Sequence, residues 1–107
     1  MTEIVFDNKN LKVTIKGHAM SGEKGKDLVC AAVSALTYTL AENIKAYSEH
    51  FEGIKAHIRL DEGDAEISMT EHPKVFDGLL SIVFTTVCTG FERLARTYPE
   101  NVKYTLA

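Results

Sequence analysis

The sequence predicts an α+β two-layer sandwich in the order β-β-α-β-β-α-β, with a mixed or antiparallel sheet and both helices on one face. Two observations predict it. Apolar residues alternate with polar ones in several short runs, the period of half-buried strands. Between those runs lie two longer stretches whose apolar residues recur at three and four, the period of a helix face. At 107 residues and 45% apolar the chain is long enough for one packed core.

The first run holds Ile4 and Phe6, and the second Leu11, Val13 and Ile15 alternating with Lys12, Thr14 and Lys16. Asp7-Asn8-Lys9-Asn10 between them is turn chemistry, so the pair reads as a hairpin. A glycine-bearing loop, Ala19–Lys26, follows. From about Asp27 to Ser48, Val29, Val33, Leu36, Leu40, Ile44 and Tyr47 mark the core stripe of the first helix. A second hairpin runs through Ile54, Ala56, Ile58 and Leu60, turns at Asp61-Glu62-Gly63-Asp64, and returns through Ala65, Ile67 and Met69. His72-Pro73 opens the second helix, with Pro73 in its first turn. Val75, Leu79, Ile82, Val83, Val87, Phe91, Leu94 and Ala95 line it, while Phe76, Leu80, Phe84 and Cys88 make it apolar over more than one stripe. A partner subunit is a natural cover for the second side. Tyr98-Pro99 closes the helix, and Val102, Tyr104 and Leu106 form a last strand.

Charge and cysteine usage exclude several classes. The net charge is −3 with both signs interspersed, so the chain lacks the basic stripe of a nucleic-acid binder. A mildly acidic surface attracts a basic protein partner, more weakly as salt rises. No secretory leader is read at the N-terminus, and no apolar run is read as spanning a membrane. Cys30 and Cys88 read as free thiols of a cytoplasmic protein. No pair among His50, His57 and His72 has zinc-ligand spacing, and neither CxxC nor HExxH occurs, so no metal or other cofactor is expected. The glycines from Gly17 to Gly25 are not a phosphate loop, because Gly22 is followed by Glu23.

The chemistry gathers around GHAMSGEKGKDLVCAAVSAL, Gly17 to Leu36. With Asp27 as helix cap, Cys30 is the third helical residue, off the core stripe, with Ser34 and Thr37 as its neighbours along the axis. Free N–H groups and the positive end of the helix dipole there favour thiolate, the reactive form. The same groups suit an oxyanion. A small cysteine packed as an apolar residue is the commoner fate of a lone Cys. His18, just after Gly17 at the end of the second strand, is a candidate base for the thiol. A solvent-facing histidine at a strand end is the bland alternative. Asp27 suits a cap better than a third catalytic group, and its charge would oppose thiolate formation. Gly22 and Gly25 suit a loop that opens and closes over a peptide, or an ordinary turn.

His18-Ala19, Gly22, Gly25, Asp27 and Val29-Cys30-Ala31-Ala32-Val33-Ser34 resemble the H-A-x-x-G-x-x-G-x-D-x-V-C-A-A-V-S pattern of the ribosomal-processing cysteine proteases called the Prp family. Gly90–Pro99 resembles that family's closing segment. The resemblance implies one protease domain over residues 1–107, active as a cytoplasmic homodimer. It implies Cys30 as nucleophile and His18 as base, with Asp27 and Ser34 at pattern positions of possible supporting or orienting use. Gly22 and Gly25 fall in the flexible substrate loop. The implied partner is the precursor of large-subunit ribosomal protein twenty-seven, whose N-terminal extension is removed, with no direct role for nucleic acid or membrane. The competing class is a ribosome-associated binding module with no activity, in which Cys30 is merely packed. A thiol sensor ranks behind both, since only Cys88 could resolve an oxidised Cys30.

Overall fold

A computed structural model of the chain describes residues 1–17 and 24–107, with the backbone alone for 24–27. The order is β1 (Thr2–Asp7), β2 (Lys12–Lys16), α1 (Lys24–His50), β3 (Lys55–Asp61), β4 (Asp64–Glu71), a 3-10 turn (Lys74–Phe76), α2 (Asp77–Thr97) and β5 (Val102–Leu106). One five-stranded sheet has the order β3-β4-β2-β1-β5. It is mixed: β1 pairs parallel with β5, and the other neighbours are antiparallel.

Alternation sets which face is buried. Opposite one another across the strands stand Ile4 and Ile15, Phe6 and Val13, and Val13 and Ile67. These five side chains are buried beneath the helices. The residues between them form a wet outer face, where Lys12 and His57 both reach Glu66. The first turn is tied by Asp7, whose carboxylate accepts from the Asn10 backbone N–H and side-chain amide at 3.1 and 2.7 Å. Leu11 ends that turn with φ of 50° and a buried side chain, rather than starting the strand. Burial of Leu11 and the Met69 N–H bond to its carbonyl hold that unfavourable backbone in place.

From α1 come Val29, Val33, Leu40, Ala41 and Ile44, all buried, while Leu36 packs toward α2. Leu36 methyls lie where a side chain on Gly90 would begin, so the glycine lets the helices approach. On α2 the buried residues are Leu80, Phe84, Cys88 and Phe91, with Phe84 stacked on Phe6 at 6.0 Å.

Several expectations need correction. The α2 stripe is rotated: Val75, Leu79 and Ile82, expected in the core, are 84%, 49% and 66% exposed. A helix apolar on two sides gives periodicity no means to choose between them. Pro73 precedes a 3-10 turn, and α2 proper starts at Asp77. Lys74–Thr97 is also long and apolar enough to cross a membrane by length and composition, contrary to the reading of the sequence. In this fold that segment packs on the sheet instead.

The start of α1 differs too. The helix begins at Lys24, three residues before the expected cap. Gly25, expected in a loop, is therefore helical, and Asp27 lies within the helix rather than capping it. That turn, Lys24-Gly25-Lys26-Asp27, has no apolar residue to announce a helix by its period. A glycine there costs about 1 kcal/mol against alanine, which a 27-residue helix tolerates. His18 and Gly22, with the rest of the expected loop up to Glu23, lie outside the described residues.

Candidate active site

Cys30 is half-buried on α1 and opens into a cleft of about 520 Å³. Ser34, Thr37 and Tyr38 continue that wall along the helix. Facing them is one end of the sheet: Thr2 and Ile15, Gly17 just after β2, and the hairpin tip from Leu60 to Ala65. The periodicity that keeps Val29 and Val33 in the core leaves Cys30 off the buried stripe and half-open to the cleft, as the sequence implies.

Gly17 shapes this end of the cleft through its backbone. Its φ is +90°, and a Cβ there would sit 2.3 Å from the Met1 carbonyl oxygen. Only glycine meets both demands. Its N–H donates to the Gly63 carbonyl at 2.9 Å, tying the end of β2 to the β3–β4 tip. His18 follows Gly17 directly in sequence, so the chain leaves for His18 from the wall of the cleft that holds Cys30.

The helix start changes the electrostatics expected for the thiol. Cys30 is the seventh residue of α1 rather than the third. Its own N–H belongs to the i→i−4 ladder and is not a free donor. The dipole's influence falls off within the first turn. The helix start therefore does not give Cys30 the free donors that the sequence suggests.

Other polar groups cluster at the hairpin tip. Arg59 Nη1 binds Asp64 Oδ2 at 2.9 Å and the Asp64 carbonyl at 3.1 Å, and reaches Asp61 at 3.5 Å. That hydrogen bond from Arg59 holds the Asp64 carboxyl below the usual carboxylate range. The other Asp64 oxygen, Oδ1, is shielded from water and has no hydrogen-bond partner among the described residues. Thr37 spends its hydroxyl on the Val33 carbonyl at 2.7 Å.

Among the residues singled out from the sequence, the structure brings Cys30 and Ser34 to the cleft, one helical turn apart. Asp27 contributes only helical backbone to the described structure. His57 pairs with Glu66 on the outer sheet face and His72 with Asp77 at the start of α2, away from the cleft. No group of three possible metal ligands occurs among the described residues. Tyr38 and the acidic tip escaped the sequence reading, which saw a core helix and a turn. The spacing of four and eight residues from Cys30 to Ser34 and Tyr38 was the available signal.

The fold is shared with known proteins. SMU.848 from Streptococcus mutans has a similar structure, with a TM-score of 0.76 and 28% identity over 98% of this chain and 90% of that one. The essential ribosomal processing protease Prp from S. aureus is also similar. In complex with a covalently linked product peptide it gives a TM-score of 0.70 and 21% identity over 99% of this chain and 97% of that one. In complex with a substrate peptide the values are 0.69 and 20%, over the same shares. No curated protein matches the sequence. The family described as cysteine protease Prp matches residues 1–103, nearly the whole chain. This chain belongs to the Prp family of cysteine proteases.

Proposed function

We propose that the chain, as a single protease domain over residues 1–107, removes the N-terminal extension of large-subunit ribosomal protein twenty-seven in the cytoplasm. Cys30 is the nucleophile and His18 the base. The observation that carries this reading is the shared cleft: Cys30 lines one wall, and Gly17, the residue before His18, lines another.

His18 takes the Cys30 proton, and the thiolate attacks the scissile carbonyl. The tetrahedral species collapses to a thioester as the leaving amine receives the proton from His18. Water, deprotonated by the same imidazole, then hydrolyses the thioester and restores the thiol. Ser34, one turn along at the cleft, supports the bound peptide. Asp27 has a supporting role at most, because its placement inside α1 removes it from the cap position. Gly22 and Gly25 belong to the substrate-handling segment.

The active form is a homodimer. The exposed apolar side of α2 and the turn before it, Val75, Leu79 and Ile82, supports a second copy as cover. Ile82→Lys is expected to shift the sedimentation coefficient from dimer to monomer.

The decisive experiment mixes the protein with a peptide carrying the extended N-terminus and follows products by mass spectrometry. A single cut is expected, reduced by about a thousandfold or more in Cys30→Ala and His18→Ala. Full cleavage by Cys30→Ala would remove the nucleophile assignment.

A further inference from the structure

The cleft continues past the reacting sulfur. Tyr38 lies eight residues after Cys30, about 12 Å further along the axis at 1.5 Å per residue. It is 53% exposed. From the hairpin, Leu60 enters the same cleft and is 39% exposed, although it stands on the inner face of the sheet. Two large side chains with apolar surface thus stay open to water in one cleft. After Leu60, Asp61 turns its carboxylate to the outer face with Arg59 and Asp64, where Lys16 also acts on Asp64. Glu62, in the turn, is exposed, and no described cation pairs with it. Glu62 therefore leaves a negative charge at this rim of the cleft that also holds the open Tyr38 ring.

We propose that Tyr38, Leu60 and Glu62 form a specificity subsite for a lysine or arginine side chain of the peptide substrate, about four residues from the scissile bond. The count follows from an extended peptide alongside α1, which advances about 3.3 Å per residue. A basic side chain matches the site in both its parts. Its aliphatic stem lies against Leu60 and the Tyr38 ring, and its head meets the Glu62 carboxylate and the ring face. A neutral apolar side chain would desolvate that carboxylate with nothing in return, and an acidic one would meet like charge.

The assignment rests on the reading of Cys30 as the nucleophile of a peptide-cutting cleft, and its test separates the two. A peptide series places Lys, Gln or Glu at each position between about three and five residues from the cut, on either side. At one position, kcat/KM is expected to be about fivefold higher for Lys than for Gln, and lower again for Glu. The ratio should shrink in about 0.5 M salt. Glu62→Gln brings the Lys-to-Gln ratio toward one, and Tyr38→Leu lowers it. Equal kcat/KM for all three residues at every position overturns the subsite.

Binding of the same peptides to Cys30→Ala, which needs no chemistry, reads the subsite independently. Tighter binding of Lys peptides there with no cleavage by the unaltered protein supports the subsite while the cleavage reading fails. Equal affinities reject the subsite whether or not cleavage occurs.

Discussion

Cys30 and Cys88 sit on the two helices that cover one face of one sheet, and their surroundings could hardly differ more. Cys30 is half-buried at an open cleft. Cys88 is 1% exposed, beneath α2 and beside Tyr104. Burial pushes the Cys88 thiol up to about 12, against a small opposing effect of its hydrogen bond with Tyr104. Tyr104 is itself pushed up to about 12, first by burial and then by its charged-state repulsion with Cys88 and Glu92. The comparison teaches that a sulfur's place beside or within the buried stripe decides whether it can meet a substrate or only pack. Helix membership does not distinguish the two.

Alkylation sharpens the contrast most. Iodoacetamide at neutral pH is expected to modify Cys30 at least about a hundredfold faster than Cys88, read by mass spectrometry of the intact fold. Similar rates at the two sites would break the distinction.

Two close-packed glycines also differ in how they tolerate a methyl group. Gly17→Ala forces a Cβ against the Met1 carbonyl at a φ that alanine resists, and should cost roughly 2–4 kcal/mol in urea unfolding. Gly90→Ala meets only Leu36 methyls at 2.9 Å, which can swing aside. The better helix propensity of alanine, about 1 kcal/mol, offsets that strain, so the midpoint should move little.

A further expected effect is alkaline. The folded state keeps the Cys88 proton to about 12, whereas the unfolded thiol releases it near 9. Between these values the unfolded chain binds fewer protons, so stability falls as pH rises. Unfolding midpoints at roughly pH 8 and pH 10 should show the decline, and Cys88→Ala should lessen its slope.

Much of this was legible in the sequence, for identifiable reasons. Strand alternation at Ile4, Phe6, Val13, Ile15 and Ile67 reports burial directly, because only one face of the sheet is covered. The position of Cys30 beside the core stripe was readable for the same reason. Periodicity failed where burial does not discriminate. On α2 both sides are apolar, so Val75, Leu79 and Ile82 read as core. At the start of α1, Lys24 to Asp27 carry no apolar residue, so they read as loop and cap. The acidic wall of the cleft was hidden differently. Asp61-Glu62-Gly63-Asp64 is ordinary turn chemistry, and only the fold shows that this turn faces Cys30.

The bond from Gly17 N–H to the Gly63 carbonyl has a consequence for how defects in this enzyme would look. It is a mechanical strut between the backbone that leads into His18 and the loop that carries Asp61, Glu62 and Asp64. Gly63 holds a φ of +70°, so most replacements there would slacken the strut. With His18 as the proposed base and Glu62 in the proposed subsite, loosening it would blur peptide selection and proton transfer together, and the resulting variants would lose discrimination and turnover in step instead of one at a time.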